Sequence, residues 1–334
     1  MVAGGLRLGA RRSALALWQA EWVKQRLEAL DRSVRVEIVP MTTSGDRQGQ
    51  TPQAPGGTKA LFTKELEEAL LDRTIDLAVH SLKDMAATLP DGLTIGAVPT
   101  REDPRDVLIT REGGLFTQLP SGSVIGTSSM RRRAQLLHAR PDLQISALRG
   151  NVPTRIRKLR DPRRETRDTR HGSDLSTDLR PTTYDSSLDA IVLALAGVRR
   201  LGLEAEVTET LPIELVMPAV GQGALAIEVR VGDERVQRAI SRIDDAVTRR
   251  TVEAERRFAV AIGGSCDTPV AAFAQIQGDR CIVRARVLSP DGRQMIEDRL
   301  EGSVERAEAL GAELGERLLA RGARALMDGR DAAA

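Results

Sequence analysis

The sequence predicts an α/β protein: two similar α/β units around a cleft, with a smaller α+β tail. Three observations carry that prediction. Short apolar, partly β-branched runs at 75–79, 107–110 and 191–196 alternate with amphipathic stretches at helical spacing, the pattern of strands buried on both faces by helices. The order strand, glycine, small polar residues, arginine, helix occurs twice, at 9–13 and at 126–132. Beyond residue 244 the order changes to a helix, a run of strands and a final helix. At 334 residues the chain is long enough for two or three domains, since single cores stop growing near ~250–300 residues.

In order, 6–10 alternate as a short strand, and Arg11-Arg12-Ser13 precede a helix over about 14–30 with Leu15, Trp18 and Trp22 at helical spacing. Residues 34–39 alternate as a second strand. The Gly-, Pro- and Gln-rich run 44–58 is a long loop of the kind that forms lids or binding loops, and Lys59 closes it before a helix over about 61–71. Strands at 75–79 and 93–98 follow. His80, Ser81, Lys83 and Asp84 lie just past the first of these, and open sheets bind ligands outside the carboxyl ends of their strands.

The second unit opens with a strand at 107–110. Residues 122–126 lead through Thr127-Ser128-Ser129 and Met130-Arg131-Arg132-Arg133 into a helix, and a strand at 145–148 ends in Arg149-Gly150-Asn151. Residues 161–187 have almost no apolar content and read as a polar insertion. After the strand at 191–196, residues 216–225 are expected to cross back to the first unit as a strand flanked by turn glycines, with a hinge there. The tail is a helix over 244–261, strands at 271–276, 280–287 and 294–300, and a helix over 304–327.

Helix N-termini carry free N–H groups and a positive dipole end, and neighbouring Ser, Thr and Arg side chains strengthen anion binding there. Two such starts facing one cleft call for a ligand with several carboxylates or phosphates. The net charge of +2 argues against a polyanion binder, although only five of the 49 basic residues are lysines. Scarce aromatics, 2% of the chain, weigh against nucleic-acid binding in the same direction. No run approaches ~18 apolar residues, so no membrane-spanning helix is expected. The first residues lack a signal-peptide core, so the expected location is cytoplasmic. The two cysteines and three histidines form no metal-ligand spacing, and no metal is expected. Cys281 alternates with Val283, Ala285 and Val287 and is expected to be a packing thiol, whereas Cys266 sits in a Gly/Ser/Asp/Pro turn with the exposure a reactive thiol needs.

Several segments together resemble the porphobilinogen deaminase (hydroxymethylbilane synthase) family, in order and over nearly the whole chain. They are Ala16-Leu17-Trp18-Gln19-Ala20, Ala78-Val79-His80-Ser81-Leu82-Lys83-Asp84, Arg101-Glu102-Asp103-Pro104-Arg105-Asp106 and Gly126-Thr127-Ser128-Ser129-Met130-Arg131-Arg132. Leu148-Arg149-Gly150-Asn151-Val152, Leu195-Ala196-Gly197-Val198, Pro218-Ala219-Val220-Gly221-Gln222-Gly223-Ala224 and the Gly264-Ser265-Cys266 turn complete the set. The resemblance implies two periplasmic-binding-protein-like (type II) α/β domains around a cleft plus a smaller α+β C-terminal domain. Expected boundaries are 1–99 with 222–241, then 104–217 including the insertion, then 245–334. It also implies a monomeric transferase that joins four porphobilinogen molecules, releasing ammonia, on a dipyrromethane cofactor held by a thioether to Cys266.

Under that resemblance Asp84 is the catalytic carboxylate, stabilising the cation left by ammonia loss and shuttling protons. Lys83, Thr127, Ser128, Ser129, Arg131 and Arg132 match cofactor-binding positions. Arg11, Ser13, Gln19, Lys59, Phe62, Arg149, Arg155 and Arg200 match substrate-binding positions, where arginine's planar fork suits the acetate and propionate of each ring. The chain departs from the family pattern at Ser265, at Met85-Ala86-Ala87 in place of Val-Pro-x, at Pro153, and at Thr58 and Ala60 around Lys59. An alternative is a two-lobed binding protein for a polycarboxylate, without catalysis. Deleting about residues 163–185 is expected to leave activity largely intact, and loss of folding in that variant would show instead that the insertion packs.

Overall fold

The computed structural model describes residues 5–45, 62–160, 188–264 and 267–329. The loop expected from 46 onward, Lys59 with its neighbours Thr58 and Ala60, the polar insertion 161–187, Ser265 and Cys266 lie outside the described residues. The chain forms three sheets. Sheet 1 has the order β2-β1-β3-β10-β4, from Val36–Met41, Leu6–Arg11, Leu77–Ser81, Leu225–Arg230 and Leu93–Ala97. Sheet 2 has the order β7-β6-β8-β5-β9, from Gln144–Ser146, Val124–Gly126, Ala190–Ala194, Asp106–Thr110 and Glu209–Thr210. In each, four strands run in one direction, and one strand that has crossed from the other sheet enters antiparallel to them in the fourth place. This shared order is the type II periplasmic-binding-protein-like arrangement. Sheet 3 is an antiparallel meander of β11 Val270–Gln277, β12 Arg280–Leu288 and β13 Met295–Ser303.

The helices cover the sheet faces as the apolar periodicity requires. Helix α1, Ala14–Leu30, turns Ala20, Val23 and Leu27 into the core of sheet 1. Helix α2, Lys64–Leu71, covers the opposite face with Leu66 and Leu70. In sheet 2, Val107, Ile109, Ile191 and Leu193 face one core while Leu108, Ala190 and Val192 face the other, which is why those strands read as unbroken apolar runs. Helices α3 (Met130–Ala139), α4 (Val152–Arg160) and α5 (Leu195–Arg200) belong to this unit, and α6 (Glu234–Ile240) returns to sheet 1. Helices α7 (Ala246–Ile262), α8 (Ala307–Ala320) and α9 (Ala323–Met327) pack on one face of sheet 3 around Phe258, Leu314 and the buried Cys281, whose thiol pKa is raised by that burial. A Cβ on Gly311 would come within 2.0 Å of the Ala254 carbonyl, so glycine is what lets α8 lie against α7.

Four expectations need correction. The strand expected at 75–79 runs over Leu77–Ser81: the Asp76 carboxylate takes the Arg7 N–H and the Arg235 guanidinium, and β10 pairs the strand out to Ser81. The crossing strand expected at 216–225 is a series of turns, because Gly221 and Gly223 stand at φ 68° and 91° and close onto Leu82 and Glu102; strand pairing begins only at Leu225. The strand at 191–196 ends at Ala194 and continues as α5. The final helix is broken at Gly322, φ 90°, into α8 and α9. Helices α4 and α6 were not anticipated.

Two segments, 98–105 and 211–224, carry the chain between sheets 1 and 2 and run side by side. The Glu102 N–H donates to the Gly223 carbonyl, and Gln222 Nε2 donates to the Pro104 carbonyl at 2.6 Å. Helix α7 seals the crossing. Its fully buried Glu255 accepts from Arg101 Nη1 at 2.6 Å, from the Gly221 N–H at 2.7 Å and from the Ala274 N–H of β11 at 2.9 Å. Removing one partner of a buried pair leaves an uncompensated charge. Glu255→Ala is therefore expected to lower unfolding free energy by about 3–5 kcal/mol, measured by urea denaturation. A loss below about 1 kcal/mol would show that the junction does not depend on it.

Candidate active site

The parallel strands of both sheets end at one cleft. From sheet 1, β1 ends in Arg11, whose guanidinium lies 4.1 Å over the Phe62 ring. Ser13 is the N-cap of α1 and accepts the Ala16 N–H. One and a half turns on, the buried Gln19 donates from Nε2 to Ser81 Oγ at 2.9 Å, tying α1 to the end of β3. A single 3₁₀ turn, Leu82–Asp84, then projects Lys83 and Asp84. Leu82 is buried beneath this turn, and Asp84 is exposed, with no hydrogen-bond partner for its carboxylate among the described residues. Arg11, Ser13, Gln19, Phe62, Ser81 and Asp84 line one small pocket.

From sheet 2, β6 ends at Gly126 and α3 begins at Met130. Thr127 Oγ1 accepts the Ser129 N–H, Ser129 Oγ caps the Arg132 N–H, and Ser128 Oγ donates to the Leu148 carbonyl at 3.0 Å. Arg149 is exposed after β7. Arg155, on α4, donates from Nε to the Gly150 carbonyl at 2.7 Å. Its burial, with Arg132 nearby, lowers its pKa to about 10 despite the opposing pull of Asp84. Arg200, at the end of α5, donates instead to the Gly223 carbonyl of the crossing segment at 2.7 Å, with its pKa lowered to about 10 by burial.

At the back of the cleft lies Asp106, the first residue of β5, fully buried. It is 2.8 Å from Arg131 Nη2 and 2.7 Å from Arg132 Nη2, and Gln222 Nε2 donates to it at 2.9 Å. Burial would raise its pKa, but Arg131, Arg132 and Lys83 outweigh that and hold it well below the usual carboxylate range. Gln222 Oε1 faces Arg131 Nη2 at 3.4 Å and Lys83 Nζ at 3.5 Å. Lys83 keeps some solvent contact, yet protein surrounds its ammonium closely enough that desolvation lowers its pKa to about 8, with Asp84 pulling the other way.

A larger cavity, about 630 Å³, opens at the far end of sheet 1 beside Arg7, Arg230 and Arg235. Those three arginines are engaged by Asp76 and Asp233, and the cavity lies at the end of β3 away from Asp84, apart from the cleft. No described helix is long and apolar enough to cross a membrane.

Residues 6–238 match the family description "Porphobilinogen deaminase, dipyromethane cofactor binding domain", and residues 249–320 match "Porphobilinogen deaminase, C-terminal domain". The chain belongs to the porphobilinogen deaminase family. A porphobilinogen deaminase of Syntrophotalea carbinolica is 46% identical over 97% of this chain and 95% of its own length. One from Carboxydothermus hydrogenoformans is 43% identical over 96% of both chains. Among solved structures, the methionine-binding protein MetQ has a TM-score of 0.37 at 13% identity, covering 72% of this chain and 88% of its own, a likeness too distant to add to the strand order.

The structure brings together Arg11, Ser13, Gln19, Phe62, Lys83 and Asp84 on one wall, with Thr127, Ser128, Ser129, Arg131, Arg132, Arg149 and Arg155 on the other. Attraction between Asp84 and Arg155, and repulsion between Lys83 and Arg132, spans the two. Two expectations shift. Arg131 and Arg132 are buried and already share the charge of Asp106, so they are not free cations; Arg200 is turned to the crossing segment. Lys59 and Cys266 lie outside the described residues. Asp106 and Gln222 were missed as site residues, although both sit inside segments that carried the family resemblance. Their partners are more than 20 and more than 90 residues away in sequence, which no local pattern reports.

A dipyrromethane carries several carboxylates, and among the described residues the cleft answers with Arg11, Lys83, Arg149 and Arg155 against the exposed Asp84, so the donor set fits that group. Because the Lys83 pKa of about 8 lies below the ordinary 10.5, the unfolded chain binds more protons between these values and this group's contribution to stability rises with pH there. In the folded chain the Lys83 cation is lost as pH rises through about 8. Capture of a carboxylate-bearing substrate, measured as kcat/KM, is expected to fall as pH rises through about 8. Lys83→Arg is expected to remove that limb, and a limb unchanged in the variant would assign it to another group.

Proposed function

We propose that this chain builds the linear tetrapyrrole hydroxymethylbilane from four molecules of porphobilinogen, joined head to tail with release of ammonia at each addition. The observation that carries the reading is one exposed carboxylate, Asp84, set among cations contributed by both walls of a cleft. Each pyrrole ring brings an acetate and a propionate, and Arg11, Arg149 and Arg155 with Ser13, Gln19 and Phe62 bind them as substrate. Lys59 and Arg200 belong to the same substrate-binding set.

The covalent dipyrromethane supplies a nucleophilic pyrrole terminus from which the chain is extended, and Cys266, just beyond α7, carries it through a thioether. Lys83, Thr127, Ser128 and Ser129 hold its carboxylates. Arg131 and Arg132 orient the α3 start through Asp106 and add the remainder of their charge. Asp84 holds the cation that forms when ammonia leaves the substrate, and its carboxylate takes and returns the proton exchanged at the reacting pyrrole. A carboxylate without a hydrogen-bond partner among the described residues is available for both tasks.

The family match supports this enzyme over a polycarboxylate-binding protein without catalysis, since it spans a dipyrromethane-binding region and a C-terminal domain. The same proposal divides the chain into domains at 1–99 with 222–241, 104–217, and 245–334, each built around one of the three sheets. It places the protein in the cytoplasm as a monomer. The exposed large apolar side chains, such as Trp18, Leu115, Val231 and Val247, are spread over separate elements, as on ordinary monomer surfaces.

Intact-mass measurement of the purified protein is expected to exceed the sequence mass by a dipyrromethane adduct, which Cys266→Ala loses. A fully active wild type without the adduct would sink the assignment. Asp84→Asn is expected to keep the fold and the adduct while losing turnover by at least about a hundred-fold. If that variant retains most of its rate, Asp84 is not the charge-stabilising group.

A further inference from the structure

The turn that carries Asp84 has no rigidifying proline: Met85-Ala86-Ala87 follows it directly. What holds the turn comes from α7, on the third sheet's side of the molecule. Arg256 reaches across and donates from one nitrogen, Nη2, to two successive carbonyls, Ala86 at 3.0 Å and Ala87 at 2.9 Å. One helical turn earlier, Val252 shares a buried cluster with Leu82 and Met85, so one stripe of α7 grips both sides of the turn.

The setting of Arg256 is charged as well. Burial lowers its pKa, while Glu228 pulls it back up. Glu228, fully buried on β10, has neither carboxylate oxygen hydrogen-bonded among the described residues, and His80 Nε2 lies 3.0 Å from one of them. A buried carboxylate without donors is costly unless nearby positive charge compensates it. Arg256 is the cation that α7 brings toward it. From Arg256 the helix runs six residues to Ile262 and its left-handed cap Gly263, about 9 Å at 1.5 Å per residue. Cys266 follows three residues later.

We propose that Arg256 is a positioning residue for Asp84: it clamps the 82–87 turn to the helix that leads to the cofactor-bearing cysteine. The inference rests on the reading of Asp84 and Cys266 given above. Under it, the carboxylate and the attachment point are registered through one rigid helix, and any shift of α7 as the bound chain lengthens is passed to Asp84 through the two carbonyls.

Arg256→Met, which keeps the apolar stem, is expected to load the adduct normally by intact mass. Its kcat should fall on the order of ten- to a hundred-fold, with KM within about two-fold. In the same holoenzyme, amide hydrogen exchange should quicken at 82–88 and stay unchanged along α7, and Arg256→Lys, which can still donate to the carbonyls, should recover part of both effects. Exchange at 82–88 equal to wild type, or a raised KM with kcat intact, would overturn the proposal. If Arg256→Met fails to load the adduct, the decision passes to Arg256→Lys: wild-type exchange with lowered kcat there overturns it, and intermediate exchange with intermediate kcat supports it. Exchange is read independently of chemistry, so a failed Asp84→Asn test would strike the catalytic reading and leave the clamp standing.

Discussion

One buried carboxylate holds the three sheets to one another. Glu255 receives the Arg101 guanidinium from the first crossing, the Gly221 N–H from the second and the Ala274 N–H from the third sheet. The line of polar contacts continues: Arg101 Nε donates to the Gln222 carbonyl, and the Gln222 side chain reaches Pro104, Asp106, Arg131 and Lys83. Such buried ionic groups contribute little net stability against an apolar replacement, because desolvation offsets most of their attraction. They do require a single geometry. Two sheets joined only by two side-by-side segments would otherwise be free to tilt, and the cleft between them has to present its donors at fixed distances.

The same line of contacts divides the arginines of the cleft by task. Arg131 and Arg132 spend their charge on Asp106, which keeps the α3 start, with its Thr127 and Ser129 hydrogen bonds, aimed at the cleft. Arg155 donates to the neutral Gly150 carbonyl and, among the described residues, touches no carboxylate, so its charge stays available to an incoming one. Lys83 sits between the two cases: desolvation, with Arg132 nearby, makes its proton easier to lose, and Asp84 pulls the other way. A polycarboxylate thus meets donors of graded strength within one scaffold.

Much of this was legible in the residues themselves. The two helix starts at Ser13 and Ser129 are caps with local partners three residues on, and local spacing is what sequence reports best. The strand cores around Ile109 and Ile191 were visible because both sheet faces are covered. Asp106, Gln222, Glu255 and Arg256 were not legible as a connected set: each acts on residues brought near by the crossings, and nothing in an isolated Glu on an amphipathic helix distinguishes a solvated side chain from the keystone of a junction. The turns at 216–224 were misread for a related reason. Their apolar residues look strand-like, and only the close approach of Gly221 to Leu82 and of Gly223 to Glu102 shows why the backbone must take the left-handed region.

The exchanged strands also bear on how the protein is made. Every strand of sheet 2 lies between Asp106 and Thr210, so that unit is complete early and in one piece. Sheet 1 is different: β10, which separates β3 from β4, ends at Arg230, far downstream of the other four strands. During synthesis the four earlier strands of sheet 1 wait with a gap in the middle of their sheet while the later unit closes. Until residue 230 emerges, β3 and β4 expose unpaired edges on either side of that gap, the condition under which nascent chains most need protection from aggregation.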